Sequence, residues 1–138
     1  MKTNIATTSE QSSRLLRCGV SADTADMYIS NYGELWAAPY KDNQRKNEKD
    51  FLPAWSLSAL LGLLPTSILS PLGNEYMLEL SKRRMHNVWE VQWVYNSSRF
   101  TTYDKHKVFQ KLWDKSPIEA CVKAIAWLTN NGYKLNEI

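Results

Sequence analysis

The 138-residue sequence predicts an α+β fold: short N-terminal helices, an antiparallel sheet of three or four strands and a buried C-terminal helix. Three observations carry that expectation. Residues 116–133 spell a helix with both ends specified. Residues 57–64 hold a leucine stripe at helical spacing. Residues 75–104 switch to the two-residue period of a sheet with one buried face. A chain of this length can build a core without disulfides or metal. Its hydrophobic share of 43% and charged share of 22% are ordinary for a globular domain. Residues 1–7 are expected to be disordered, leaving 8–138 as a single α+β domain.

Taken in order, Thr8 and Gln11 offer a Thr-x-x-Gln capping box and Gly19 a stop. Between them Gln11, Leu15, Leu16 and Cys18 give a short helix with one modest apolar edge. Ser21 caps a second helical turn over 22–29, with Asp23 against its positive end. Residues 34–40 read as an extended piece at a sheet edge, because Pro39 has no N–H to give a ladder. Residues 41–50 are charged and amide-rich, as a solvated loop is. Ser56 then caps a helix in which Leu57, Leu60, Leu61 and Leu64 fall at i, i+3, i+4 and i+7, ended by Pro65.

Further on, Tyr76, Leu78 and Leu80 alternate with Met77, Glu79 and Ser81. In 88–95, Trp89, Val91, Trp93 and Tyr95 share one face and Glu90 and Gln92 the other. Residues 96–98 are a turn and 99–103 a third strand. Residues 107–113 fit a fourth strand or a helical turn, since Val108/Leu112 and Phe109/Trp113 also satisfy an i, i+4 rule. In the last helix Ser116 is the cap, Pro117 the first position, Glu119 the partner in a capping box and Asn131-Gly132 the stop. Its wide stripe (Ile118, Cys121, Val122, Ile125, Leu128) is expected to face the sheet. The narrower strip of Ala120, Ala124 and Trp127 is expected to meet the helix at 57–64. Glu119 and Lys123 should pair along the wet edge.

Composition narrows function more than it names one. Net charge is +3, too small by itself to imply nucleic acid. Between residues 82 and 115, however, eight Lys and Arg stand against Glu90, Asp104 and Asp114, a local net of +5, so the remainder carries −2. Cys18 and Cys121, far apart, make no disulfide framework and suit a reducing compartment. The polar start lacks the apolar run of a signal peptide, and 57–64 is too short to span a bilayer. A cytoplasmic protein without membrane contact is expected.

Several phrases occur together. Glu10-Gln11-Ser12-Ser13-Arg14-Leu15-Leu16 precedes Thr24-Ala25-Asp26-Met27. They are followed by Pro53-Ala54-Trp55-Ser56-Leu57-Ser58-Ala59-Leu60-Leu61 and by Pro117-Ile118-Glu119-Ala120-Cys121-Val122 with Trp127-Leu128. In this order, over most of the chain, they resemble a group of short uncharacterised proteins of Bacteroides-like gut bacteria and their phages or mobile elements. The resemblance implies a shared origin and fold. It brings no activity, cofactor or catalytic residue.

His86 and His106, with two distant cysteines, lack zinc-ligand spacing, so no metal is expected. Asp104/His106, Asp23/Asp26 and Glu75/Glu79 are the pairs available for acid–base work. There is no Gly-x-Ser-x-Gly, His-Glu-x-x-His or glycine-rich phosphate loop, and no cofactor is expected. Asp23 and Asp26 read as helix-start residues, and Glu79 as a cross-strand ion pair with Arg or Lys. No catalytic residue is assigned, and the chain is expected not to be an enzyme. Six Trp, seven Tyr and three Phe exceed the needs of one small core. Trp36, Tyr40 and Trp55 lie in or beside loops, where exposed aromatics mark contact sites, so the first expectation is an accessory protein that binds another protein. The second is weak nucleic-acid binding through Lys82, Arg83, Arg84, Arg99 and Lys107, interleaved with Phe100, Tyr103 and Trp113. The competing explanation for those cations is solubility and protection of sheet edges.

Overall fold

A computed structural model of the chain describes residues 5–30, 32–42, 51–83, 86–95 and 108–136. The fold is α+β, as the sequence predicts. Helices α1 (Ser9–Arg17), α2 (Leu57–Leu63) and α3 (Pro117–Asn130) accompany two antiparallel sheets. The smaller sheet holds β1 (Met27–Ile29), β2 (Leu35–Trp36) and β3 (Leu52–Ala54) in the order β2-β1-β3. The larger holds β4 (Ser67–Leu69), β5 (Glu75–Arg83), β6 (Val88–Tyr95) and β7 (Val108–Asp114) in the order β4-β5-β6-β7.

The ends of the helices follow local chemistry. Thr8 Oγ1 accepts from the Gln11 N–H while Thr8 N–H donates to Gln11 Oε1, the full reciprocal box. At the far end of α3, Gly132 takes a φ of 79°, Tyr133 N–H reaches Leu128 O at 2.9 Å, and the Tyr133 ring stacks on Trp127. The start of α3 departs from expectation. Ser116 Oγ accepts from Glu119 N–H, but Glu119 does not reach back. Its Oε1 instead accepts from Gln11 Nε2 at 3.0 Å and Arg14 Nη1 at 2.7 Å, tying α3 to α1. Ser116 N–H is taken by Asp114 Oδ2. Glu119 and Lys123 therefore do not pair with each other; Lys123 Nζ bonds Asp114 and the Trp113 carbonyl.

The large sheet has the predicted inner face, but Glu90 and Val94 on the other face are also buried and Leu80 on the inner one is exposed. Val91 and Trp93 are buried on its inner face, with Leu78, Trp89 and Leu112 packed around them. Residues 108–114 form a strand, which decides between the two readings of that stretch. In its register Trp93 faces Gln110 and Val94 faces Val108, so Phe109 is the extra residue of a bulge. A bulge re-aims a side chain, and Phe109 lies 4.8 Å from Tyr76 and 5.9 Å from Trp127 in the core. Glu79 takes a hydrogen bond from Gln92 and has no ion pair among the described residues.

Helix α3 packs against β6, β7, α2 and α1, but with its faces exchanged relative to expectation. Trp127 stacks on Trp93 of the sheet at 5.8 Å. Ala120 and Ala124 lie within about 60° of Trp127 round the axis, whereas Ile118, Val122 and Ile125 lie about 140–180° away. The Ala/Trp strip thus meets the sheet, and the wide branched stripe turns towards α1 and α2. The physical reason is volume. The sheet face carrying Trp93, Phe109 and Leu112 takes one large ring, Trp127, at the end of the helix and small methyl groups along the rest of the strip, while branched chains fill the gap between helices.

The N-terminal half holds the other corrections. The expected helical turn over 22–29 shortens to a 3-10 turn at Ala22–Thr24, and Met27–Ile29 is the central strand of the small sheet. Pro53 is accommodated because β3 is an edge strand. Strand β4 was given no element by the sequence. Ala6 and Thr7 do not belong to a disordered lead: both are buried, and Ala6 bridges Ser56. Residues 1–4, most of the expected loop at 43–50 and the strand expected at 99–103 lie outside the described residues.

Two measurements follow from this packing. Ala124→Leu is expected to cost about 1–3 kcal/mol in denaturant unfolding by overpacking the helix–sheet contact. Ala37→Leu, on the exposed surface, should stay within about 0.5 kcal/mol. Asp114 supplies a pH test. Burial opposes its ionisation, but the hydrogen bonds from Ser116 N–H and Lys123 outweigh that and hold the carboxyl below its ordinary range. A depressed carboxylate stabilises the fold above the unfolded value of about 4 and ceases to as pH falls through the native value. Asp114→Asn should flatten that part of the acid limb in a pH series of melting temperatures.

Candidate functional site

Of the three aromatics singled out for binding, Trp55 is the one the fold uses internally. It is 0% exposed. Its backbone N–H donates to Thr7 Oγ1 and its carbonyl accepts from Thr7 N–H. Its indole N–H donates to Thr24 Oγ1 at 2.9 Å. The next residue, Ser56, donates its backbone N–H to Asp26. Trp55 therefore locks the N-terminal strand segment, the 3-10 turn and the entry to α2 together, and it presents no surface. Asp26 serves that junction rather than a helix start. Tyr40 is half-buried against the main core, and burial, with the nearby Asp23 charge, raises its phenol.

Trp36 remains outside. It is 49% exposed on edge strand β2. The register sets Tyr28 opposite Trp36 and Pro53, on the face away from Met27, Ile29 and Ala54, which form a second small core with Ala6. Tyr28 stacks on Trp36 with ring centres 6.2 Å apart and planes 6° apart, and meets Phe51 edge-on at 5.9 Å. Phe51, Tyr28 and Trp36 thus form a row of rings held by one another; Tyr32, in the β1–β2 connection, is exposed, and Leu35, opposite Ile29, belongs to the other face. Alternation is too brief in these strands for the sequence to have revealed the row; the Tyr28/Trp36 pair needs the hairpin register.

The described cations of the basic segment include Lys82 and Arg83 on β5 and Lys111 on β7. Arg83 and Lys82 lie at the β5–β6 turn, whereas Tyr95 and Val108, which flank residues 96–107, lie roughly 20 Å away at the other end of the strands. Arg84, Arg99 and Lys107, with Asp104 and His106, lie outside the described residues. Lys82 sits 5.6 Å from the centre of the Trp89 ring. On the outer face of the large sheet, Glu90 is 6% exposed. Arg83 Nε lies 3.1 Å and Lys111 Nζ 3.7 Å from Glu90 Oε1. Trp113, directly opposite Glu90, is 57% exposed. Arg83, His86, Val88, Glu90, Lys111 and Trp113 line a cleft of about 380 Å³.

Elsewhere a wider cleft of about 800 Å³ runs past Asp23, Lys41, Thr129 and Lys134. Several of its polar groups hold the fold: Thr24 Oγ1 serves Trp55 and the Ser21 carbonyl, and Asn136 Nδ2 donates to the Gly62 and Leu64 carbonyls. Burial pushes the Cys121 thiol up to about 12, so it stays protonated and inert at neutral pH. Cys18 and Cys121 are free. Among the described residues no group of three His, Cys, Asp or Glu is placed to hold a metal, and no helix is long and apolar enough to cross a membrane. Comparison of the chain with protein families, curated proteins and solved structures finds no match.

The different roles of the two tryptophans can be measured. Trp55→Ala is expected to cost about 3–5 kcal/mol and Trp36→Ser less than about 1 kcal/mol in urea unfolding.

Proposed function

We propose that the chain is a small non-enzymatic accessory protein that acts by binding another protein through the outer face of its small sheet. The observation that supports this most is the aromatic row in which exposed Trp36 stacks on Tyr28 and Phe51 meets Tyr28 edge-on, with exposed Tyr32 in the β1–β2 connection. Rings already fixed against each other lose little freedom on docking, and Trp and Tyr carry a disproportionate share of binding energy at protein interfaces. Strand β2 offers only two residues for pairing, so recognition there rests on side chains rather than on an added strand. The cytoplasm is the compartment proposed, since the two free thiols suit reducing conditions. The resemblance to short proteins of Bacteroides-like gut bacteria and their phages or mobile elements supplies the setting, in which the partner is a phage or host component.

The test is affinity capture from native cells with the tagged full chain. One partner is expected to be retained by wild type and by Trp113→Ala, and lost with Tyr32→Ser/Trp36→Ser, whose melting temperature should match wild type. A set of captured proteins identical for all three chains would sink this reading.

A further inference from the structure

We infer that the cleft on the outer face of the large sheet is a binding site for one nucleotide unit, its base laid on Trp113 and its phosphate held by Arg83 and Lys111. The site is separate from the aromatic row of the small sheet and does not rest on it. Trp113 is on edge strand β7, its side chain on the solvent face beside Lys111 and opposite Glu90, where it adds nothing to the core. An aromatic plane beside cations is the pairing that an unstacked base with its phosphate requires.

The charge arrangement points the same way. One carboxylate, Glu90, holds two cations, so the cluster keeps a net positive charge at the cleft mouth. Arg83 is bound to Glu90 through Nε, which fixes its stem. The Arg83 side chain is 55% exposed, and a guanidinium offers the fork that grips phosphate oxygens. Glu90 itself is covered, so a ligand meets the cations before it meets the acid. His86 completes the lining. At about 380 Å³ the cleft has the size of a small-molecule site rather than of a duplex groove. Strand pairing assembles it: Arg83 comes from the end of β5, Glu90 from β6, and Lys111 and Trp113 from β7.

The test uses the full chain and a fluorescein-labelled short oligothymidine at low ionic strength, read by anisotropy, with thymidine monophosphate, inorganic phosphate and polyglutamate as competitors. Binding is expected to weaken about ten-fold in Trp113→Ala and to recover largely in Trp113→Phe, because the ring face is what stacks. Lys111→Ala should weaken binding and lessen its salt dependence, and Trp36→Ser should leave it unchanged. Each variant is first matched to wild type by thermal melting. Thymidine monophosphate competing as well as the oligomer supports a free nucleotide as the natural ligand; competition by the oligomer alone supports a single strand. No binding at low salt, equal binding by Trp113→Ala, or displacement by polyglutamate as effective as by the oligomer overturns the proposal.

Discussion

The close approach of α3 to the large sheet is the contact from which the rest of the arrangement follows. Ala120 and Ala124 have no exposed surface, and their methyl groups set how near the helix axis can come to β6 and β7. At the C-terminal end the strip finishes in Trp127, which reaches Trp93 and Phe109 and is itself covered by Tyr133. The opposite stripe, Ile118, Val122 and Ile125, is then available to α1 and α2, and each such side chain contributes roughly 1.5–3 kcal/mol on full burial. A helix apolar on both flanks has one place in an α+β fold: between layers.

Polar contacts fix the orientation of the outer helix on that frame. Gln11 spends its carbonyl on the cap of α1 and its amide on Glu119, and Arg14 adds a charged bond to the same oxygen. Such bonds set register more than stability, since partly buried ion pairs return little net energy. Trp55 does the corresponding work for the N-terminal segment and the small sheet. With these groups committed inward, the aromatic row around Trp36 and the Arg83–Trp113 cleft are among the features that face outward. The two faces lie on different sheets.

Much of this was legible wherever the signal is local. Thr8 with Gln11 and Asn131 with Gly132 mark helix ends by bonds within a few residues, and 88–95 carries enough alternation to declare a strand. Met27–Ile29 was not, because three residues hold no period and the preceding Ser21 imitates a helix start. The faces of α3 were misassigned because a stripe's composition says that it is buried, not what buries it. Trp55 and Trp36 have alike surroundings in sequence; only the bonds to Thr7 and Thr24 tell a plug from a platform. The capping role given to Glu119 failed because Arg14, far away in sequence, offers a stronger partner than the backbone. The sequence grouped Arg83 with Trp113 by charge and aromatic content, but Arg83, Glu90 and Lys111 meet only through the β5–β6–β7 register.

Native-state hydrogen exchange on α3 tests the sandwich most directly. If the helix is held on both flanks, the amides of Val122, Ile125 and Leu128 exchange only through global unfolding, with the same free energy and denaturant dependence as those of Val91 and Trp93. Exchange of the α3 amides at a clearly lower free energy, while β6 stays protected, would mean that the helix detaches from an independently stable sheet and would contradict the account.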